Sequence, residues 1–267
     1  MATVSDQSPA AARLRAQQSA VTAALVRELR SIRRLLGRTP RGTPNRAWVL
    51  ALAALTDRYG RASAELAARA YEEQRAASGA LGRFQVVPDP PPGMDEVQAV
   101  AGWATAPLRL VEGRPQGTPE DAQQRAEAGA QKMTADTGRR TTLRAVRSDT
   151  EAVAWARAAA LGACYFCKLL ASRGAVYKDR RSLTGADSEF VGDVSEIKVH
   201  DHCHCQPIPI FRRDRFELSP QARDWDAIYR EFAAGRADQL NAFRRALAGI
   251  EEGRIEWSPP QSLPRAA

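Results

Sequence analysis

A chain of 267 residues, 44% of them hydrophobic, is long enough to bury a real core in one or two domains. No apolar run approaches the eighteen or so residues of a membrane-crossing helix, and no signal peptide pattern opens the chain, so it reads as soluble and intracellular. The formal charge of +8 points towards nucleic acid or an acidic partner, but only four of the 39 basic residues are lysine and alanine abounds. A GC-rich genome imposes the same bias, so charge alone assigns no partner.

In chain order, residues 1–9 are small and polar and predict a disordered start. From 10 to 37, Leu14, Val21, Leu25, Leu29, Ile32 and Leu36 recur at three- and four-residue steps, one apolar stripe on a helix. Its other face carries Arg27, Arg30, Arg33 and Arg34, read as a solvated basic face. Gly37 and Pro40 stop this helix. Thr43-Pro44 offers an N-cap followed by proline at the first helical position. Trp48, Leu52, Leu55 and Tyr59 then mark a second helix, which continues past Gly60 through Leu66 and Tyr71 to about residue 78. The short connection 38–42 predicts an antiparallel pair.

Residues 84–93 hold Pro88, Pro90, Pro91, Pro92 and Gly93, which cannot be helix and predict a stiff extended linker. A short helix over 95–104 and a second linker at 113–117 follow. Thr118-Pro119-Glu120-Asp121 opens a polar helix with a cap, a proline and two acids in the first turn. It runs to about 137, where Gly138 is expected to interrupt it before more helix to about 148. Over 152–158, Val153, Trp155 and Arg157 alternate with alanines, which predicts a strand. Strands are also expected at 175–177 and at 208–211, the latter at a sheet edge because of Pro207 and Pro209. Residues 179–195 read as a loop. Ser219-Pro220 caps a helix bearing Trp225, Ile228, Tyr229 and Phe232; Gly235 breaks it before a last helix bearing Leu240, Phe243, Leu247 and Ile250, and 258–267 read as a disordered tail.

All four cysteines and all three histidines fall between 164 and 205, as Cys164-Tyr165-Phe166-Cys167 and His200-Asp201-His202-Cys203-His204-Cys205. C-x2-C followed by H-x2-C-x-C supplies two groups of soft ligands on tight turns, which suits tetrahedral Zn²⁺ better than an oxygen-seeking cation. Disulfides are the weaker reading, because C-x-C and C-x2-C are poorly placed to close internally. Unligated buried thiols would not bring every histidine with them. Closed four-ligand sites are structural, and the spacing assigns a structural zinc site. Seven side chains compete for four places. Cys164, Cys167 and Cys205 are the first choices, with His200 or Cys203 as the fourth ligand. On an extended segment Cys203 and Cys205 share a face with Asp201, and His200, His202 and His204 share the other; a turn would break that alternation, so the fourth position stays open.

The pattern predicts an α+β protein: an N-terminal helical region (1–83), a Pro/Gly-rich linker with a short helix (84–118), a small zinc-stabilised α+β domain (119–215), and C-terminal helices with a tail (216–267).

Cys164-x2-Cys167, the run Leu170-Ala171-Ser172-Arg173-Gly174-Ala175-Val176-Tyr177 and His200-Asp201-x-Cys203-x-Cys205 together resemble the Mu gpF-like (MuF) minor head proteins of tailed phages. The likeness is to the actinobacteriophage branch, often labelled minor capsid protein or capsid maturation protease. Asp136-x-Gly138-Arg139 and Asp149 with Trp155-Ala156-Arg157 also fit, and the resemblance covers roughly residues 120–212. It implies a low-copy, zinc-binding component of the procapsid interior, assembled in the host cytoplasm and associated with the portal protein at the portal vertex. Scaffold, major capsid protein and packaged DNA are the further contacts it suggests, and no membrane is implied. Carried over, the family's ligand positions fall on Cys164, Cys167, His200, Cys203 and Cys205, and His204 is a departure.

Two enzymatic alternatives compete with this reading. A protease needs a nucleophile with an oriented base, and Ser172 with His202 or His204 and Asp201 is the available set, yet no G-x-S-x-G frames Ser172. A His-metal-finger nuclease is suggested by Val199-His200-Asp201-His202-x-His204 behind a C-x2-C. Downstream of Cys205, however, there is no Cys or His, and the first Asn is Asn241. The sequence therefore favours a structural protein and leaves enzyme activity undecided, with the capsid maturation protease as the open alternative.

Overall fold

The structure, a computed structural model, describes residues 3–36, 44–178, 203 and 205–258. Helix α1 (Pro9–Ser31) starts where Ser8 accepts the Ala11 amide at 3.3 Å with Pro9 in the first turn. After a break at Ile32, α2 (Arg33–Leu36) adds one turn. Helix α3 (Arg46–Ala77) is capped by Asn45, whose Oδ1 accepts the Ala47 amide at 2.9 Å. The expected cap Thr43 lies outside the described residues, as do Gly37 and Pro40. Arg13 meets Glu73, Gln18 meets Ser63 and Glu28 meets Tyr59, so α1 and α3 run antiparallel. Leu25, Leu29, Trp48 and Leu52, all but inaccessible, fill the space between these helices and their neighbours.

Residues 84–93 carry no regular element, as expected of their prolines, and this extended stretch is packed against the fold. The buried Asp89 carboxylate accepts from Arg140 Nε at 2.7 Å and from Arg144, and its amide donates to Thr141 Oγ1 at 2.9 Å. Helix α4 (Met94–Thr105) follows. Where a second linker was expected, β2 (Leu110–Val111) and β3 (Arg114–Pro115) form a hairpin closed by Glu112 and Gly113, both at positive φ.

Helix α5 (Pro119–Ser148) opens with a complete capping box. Thr118 Oγ1 accepts the Asp121 amide at 3.1 Å, and Asp121 Oδ2 accepts the Thr118 amide at 2.7 Å. The interruption expected at Gly138 does not occur. Glycine there serves a close helix crossing: a Cβ would stand 2.6 Å from Ser63 Oγ and 2.8 Å from Gln18 Nε2. The propensity cost of one helical glycine, about 1 kcal/mol, is smaller than the cost of prising three helices apart.

Strand β4 (Ala152–Ala158) lies between β5 (Ala175–Tyr177) and β6 (Gln206–Phe211) in an antiparallel sheet. All three were expected, and β6 is an edge strand, where the missing amides of Pro207 and Pro209 are tolerated. Trp155 and Phe211 pack with Tyr71 of α3 and with Leu143 and Val146 of α5. Ala154, Ala156, Ile208 and Ile210 pack with Ala11 of α1. Helix α5 thus forms a wall shared by the sheet and the N-terminal helices.

Helix α6 (Tyr165–Ser172) was not foreseen; it occupies the stretch read as a turn out of the first ligand pair. Strand β7 (Arg215–Phe216) pairs in parallel with β1 (Thr3–Val4), so the described part of the stretch read as a disordered start, from residue 3 on, is docked against the rest of the fold. Helices α7 (Pro220–Phe232), capped by Ser219, and α8 (Gln239–Glu251) close the fold, and 259–267 lie outside the described residues. The architecture is α+β.

Candidate metal centre

The register of β4 with β6 explains why the two cysteine groups meet. Ala158 pairs with Gln206, so the segment leaving β4 towards Cys164 and the segment entering β6 from Cys205 sit at one end of the sheet. Helix α6 then carries Cys167 back over that end. Its N-cap is Cys164, whose Sγ accepts the Cys167 amide at 3.4 Å. A sulfur cap also orients the first turn of the helix, because that amide is one of the orphan donors of a helix start.

Cys167, Cys203 and Cys205 converge. Their sulfurs all lie within 4.8 Å of one another, and Cys167 Sγ is 3.4 Å from Cys203 Sγ. That separation is too long for a disulfide bond, and all four cysteines are free thiols. It is close to what tetrahedral coordination demands, since zinc–sulfur bonds of about 2.3 Å place ligand sulfurs roughly 3.8 Å apart. All three are buried, against Leu169 and Ala171 of α6, Trp225 and Ile228 of α7, and Phe243 and Leu247 of α8. Cys164 packs half-buried at the edge of the same cluster.

The three thiols shift one another's titration in opposite directions. Sulfur hydrogen bonds from Cys167 and Cys205, and then the Arg139 charge, push the Cys203 thiol well below its ordinary range. Hydrogen bonding to Cys203 and Cys205, with burial, pushes Cys167 up. For Cys205 the Cys167 contact favours the thiolate, but the Cys203 contact and burial outweigh it and raise the group to about 12. A thiophilic cation would resolve this competition by replacing the shared protons. The donor set therefore fits zinc, and Cys167, Cys203 and Cys205 would hold it.

Of the expected ligands, the structure brings these three sulfurs together and places Cys164 one helical turn away. His200 lies outside the described residues, as do His202 and His204, so among the described residues the fourth position is contested by Cys164 alone. Ser172, the nucleophile of the protease alternative, is buried, and its hydroxyl donates to Leu169 O at 2.8 Å.

One residue of the site was present in the sequence motif without a role. Arg139, fully buried on α5, donates from Nε to Cys205 O at 2.9 Å and from Nη2 to Cys203 O. Its Nη1 donates to Asp136 Oδ1 at 2.6 Å. The only local sign was the i, i+3 spacing of Asp136 and Arg139. The carbonyls it reaches are 64 and 66 residues away, which no periodicity reveals.

Fold and site together define an α+β protein organised around a buried cluster of three cysteines. The VG15 protein family model matches residues 5–234, and the chain belongs to that family, a family of phage proteins. Comparison with curated proteins and with solved structures returned no match. Among the described residues no helix is long and apolar enough to cross a membrane.

Proposed function

We propose that this chain is a MuF-like minor capsid protein that acts in phage head morphogenesis at the portal vertex, with the thiolate cluster as a structural zinc site. The observation that carries the proposal is convergence: Asp136, Arg139, Cys167, Cys203 and Cys205, five of the residues that carry the resemblance, meet at one locus. Membership of a phage protein family supports the same direction. The sulfurs face a hydrophobic core rather than a solvent-filled cleft, which suits a cross-link more than a catalyst. Zinc, when bound, supplies a rigid tetrahedral tie. The chain's own residues place α6 and the entry to β6 around it, with Cys164 or His200 as the fourth ligand. The protein would be assembled in the host cytoplasm and carried inside the virion.

The proposed contact for the portal protein is the N-terminal helical pair, where Leu50 on α3 is half exposed and Arg27 and Arg34 are exposed. Co-expression with the portal protein of the same phage, followed by size-exclusion chromatography, tests this. Co-elution as a stable complex is the expected result; separate elution at micromolar concentration would refute it. Under the same reading, neither scaffold protein nor DNA is cleaved on incubation with the purified protein, and defined fragments lost in Ser172→Ala would restore the protease.

A further inference from the structure

A fully buried arginine is costly unless its charge and its donors are met. Arg139 meets them with one carboxylate and two backbone carbonyls, and the two carbonyls are those of Cys203 and Cys205. From these contacts we infer that Arg139 is the positioning residue of the metal centre: it fixes the Cys-x-Cys backbone so that both sulfurs face Cys167, and it sets metal affinity without touching the ion. The inference rests on the reading of the cluster as a metal site.

Two physical effects act in the same direction. The first is geometric. A guanidinium is a rigid planar fork, so two carbonyls captured by one fork are fixed relative to each other, which a flexible ammonium does not achieve. The fork is itself held: Asp136 takes Nη1 through Oδ1 and is braced at Oδ2 by Lys132 Nζ at 2.6 Å. One residue earlier, Gly138 seats α5 against Ser63 and Gln18, which sets the height of Arg139 over the cysteines. The second effect is electrostatic. Three or four thiolates on a divalent cation would leave a net negative centre in a buried core, and the fully buried guanidinium of Arg139, held on the Cys203 and Cys205 carbonyls, is a positive charge set beside it. Partners that orient metal ligands through their backbone or second donor cost roughly 10–100-fold in metal affinity when removed.

The test is a Co²⁺ titration of the full chain under reducing conditions. It follows the sulfur-to-cobalt charge-transfer band and competes cobalt against a chromophoric chelator. Wild type is compared with Arg139→Lys, Arg139→Met and the control Leu25→Ala, which thins a separate core cluster. Circular dichroism establishes native helix content for each protein first. We expect roughly 100-fold weaker cobalt binding for Arg139→Met and roughly 10-fold for Arg139→Lys, which retains charge but loses the fork. Leu25→Ala should bind as wild type does. If Arg139→Met does not fold, Arg139→Lys decides alone. Wild-type affinity in the Arg139 variants would overturn the inference while leaving the metal centre intact, as would equal weakening in Leu25→Ala. A wild-type protein that gives no sulfur-to-cobalt band would overturn the metal centre, and the inference with it.

Discussion

Asp6 and Ser219, 213 residues apart in the chain, are joined by two hydrogen bonds of 2.8 Å: the carboxylate accepts both the amide and the hydroxyl of Ser219. Ser219 in turn caps α7. The first residues of the chain therefore lock the C-terminal helices that cover the cysteine cluster. Asp6 is completely buried, so its loss leaves Ser219 with unmet donors. Asp6→Ala should cost about 1–3 kcal/mol in urea denaturation. Unchanged stability would mean that the N-terminal strand is not docked in solution.

A second buried carboxylate ties α3 to the end of α5. Asp149, 1% exposed, accepts from Arg75 Nε at 2.8 Å, Tyr71 Oη at 3.2 Å and the Glu151 amide at 3.0 Å. Arg75→Met strands that charge in the core and should destabilise by about 3–5 kcal/mol. The double variant Arg75→Met/Asp149→Leu should cost less than the sum of the two single changes. Strict additivity would show that the two groups do not interact.

The same network gives the fold an alkaline limit. Burial first, and then the Asp149 charge, push the Tyr71 phenol well above its ordinary range. The folded protein thus keeps this proton at a pH where the unfolded chain loses it, near 10. Unfolding then releases a proton, so stability is full below about pH 9 and falls as pH rises through the unfolded phenol's range. Thermal unfolding of wild type and Tyr71→Phe between about pH 8 and 11 checks this, because the variant should show the shallower decline. Parallel declines would remove Tyr71 from the account.

Gly138→Ala sets helix propensity against packing. Propensity alone favours alanine by about 1 kcal/mol, whereas forcing a methyl group against Ser63 and Gln18 costs about 1–3 kcal/mol. We expect net destabilisation in chemical denaturation. A gain in stability would contradict the close crossing of α1, α3 and α5.

Much of this was legible before the structure. Apolar stripes at three- and four-residue steps gave α1, α3, α7 and α8, and the alternation around Trp155 with the prolines of 207 and 209 gave the sheet and its edge. Confinement of every cysteine to one stretch gave the sulfur cluster, and three of the five expected ligand positions meet there. Failures arose where a local signal has two meanings. Gly138 punctuates a helix when it is exposed and permits a crossing when it is buried. Small polar residues at 3–8 read as disorder because their partners, Arg215, Phe216 and Ser219, are far away in sequence. Helix α6 escaped because its eight residues are too few to show a period and its cap is a cysteine, outside the usual oxygen-bearing set. Arg139 could be seen in the motif, but its targets are backbone carbonyls, which carry no sequence signature.

Metal content tests the central claim most directly. Protein purified under reducing conditions from zinc-supplemented cells should contain about one Zn²⁺ per chain by elemental analysis, as a single tetrahedral thiolate site requires. Cys167→Ser, Cys203→Ser and Cys205→Ser should each lose the metal and unfold at markedly lower temperature, because binding and folding are linked in such sites. Wild-type protein that is folded, fully reduced and free of zinc or any other thiophilic metal would contradict the account.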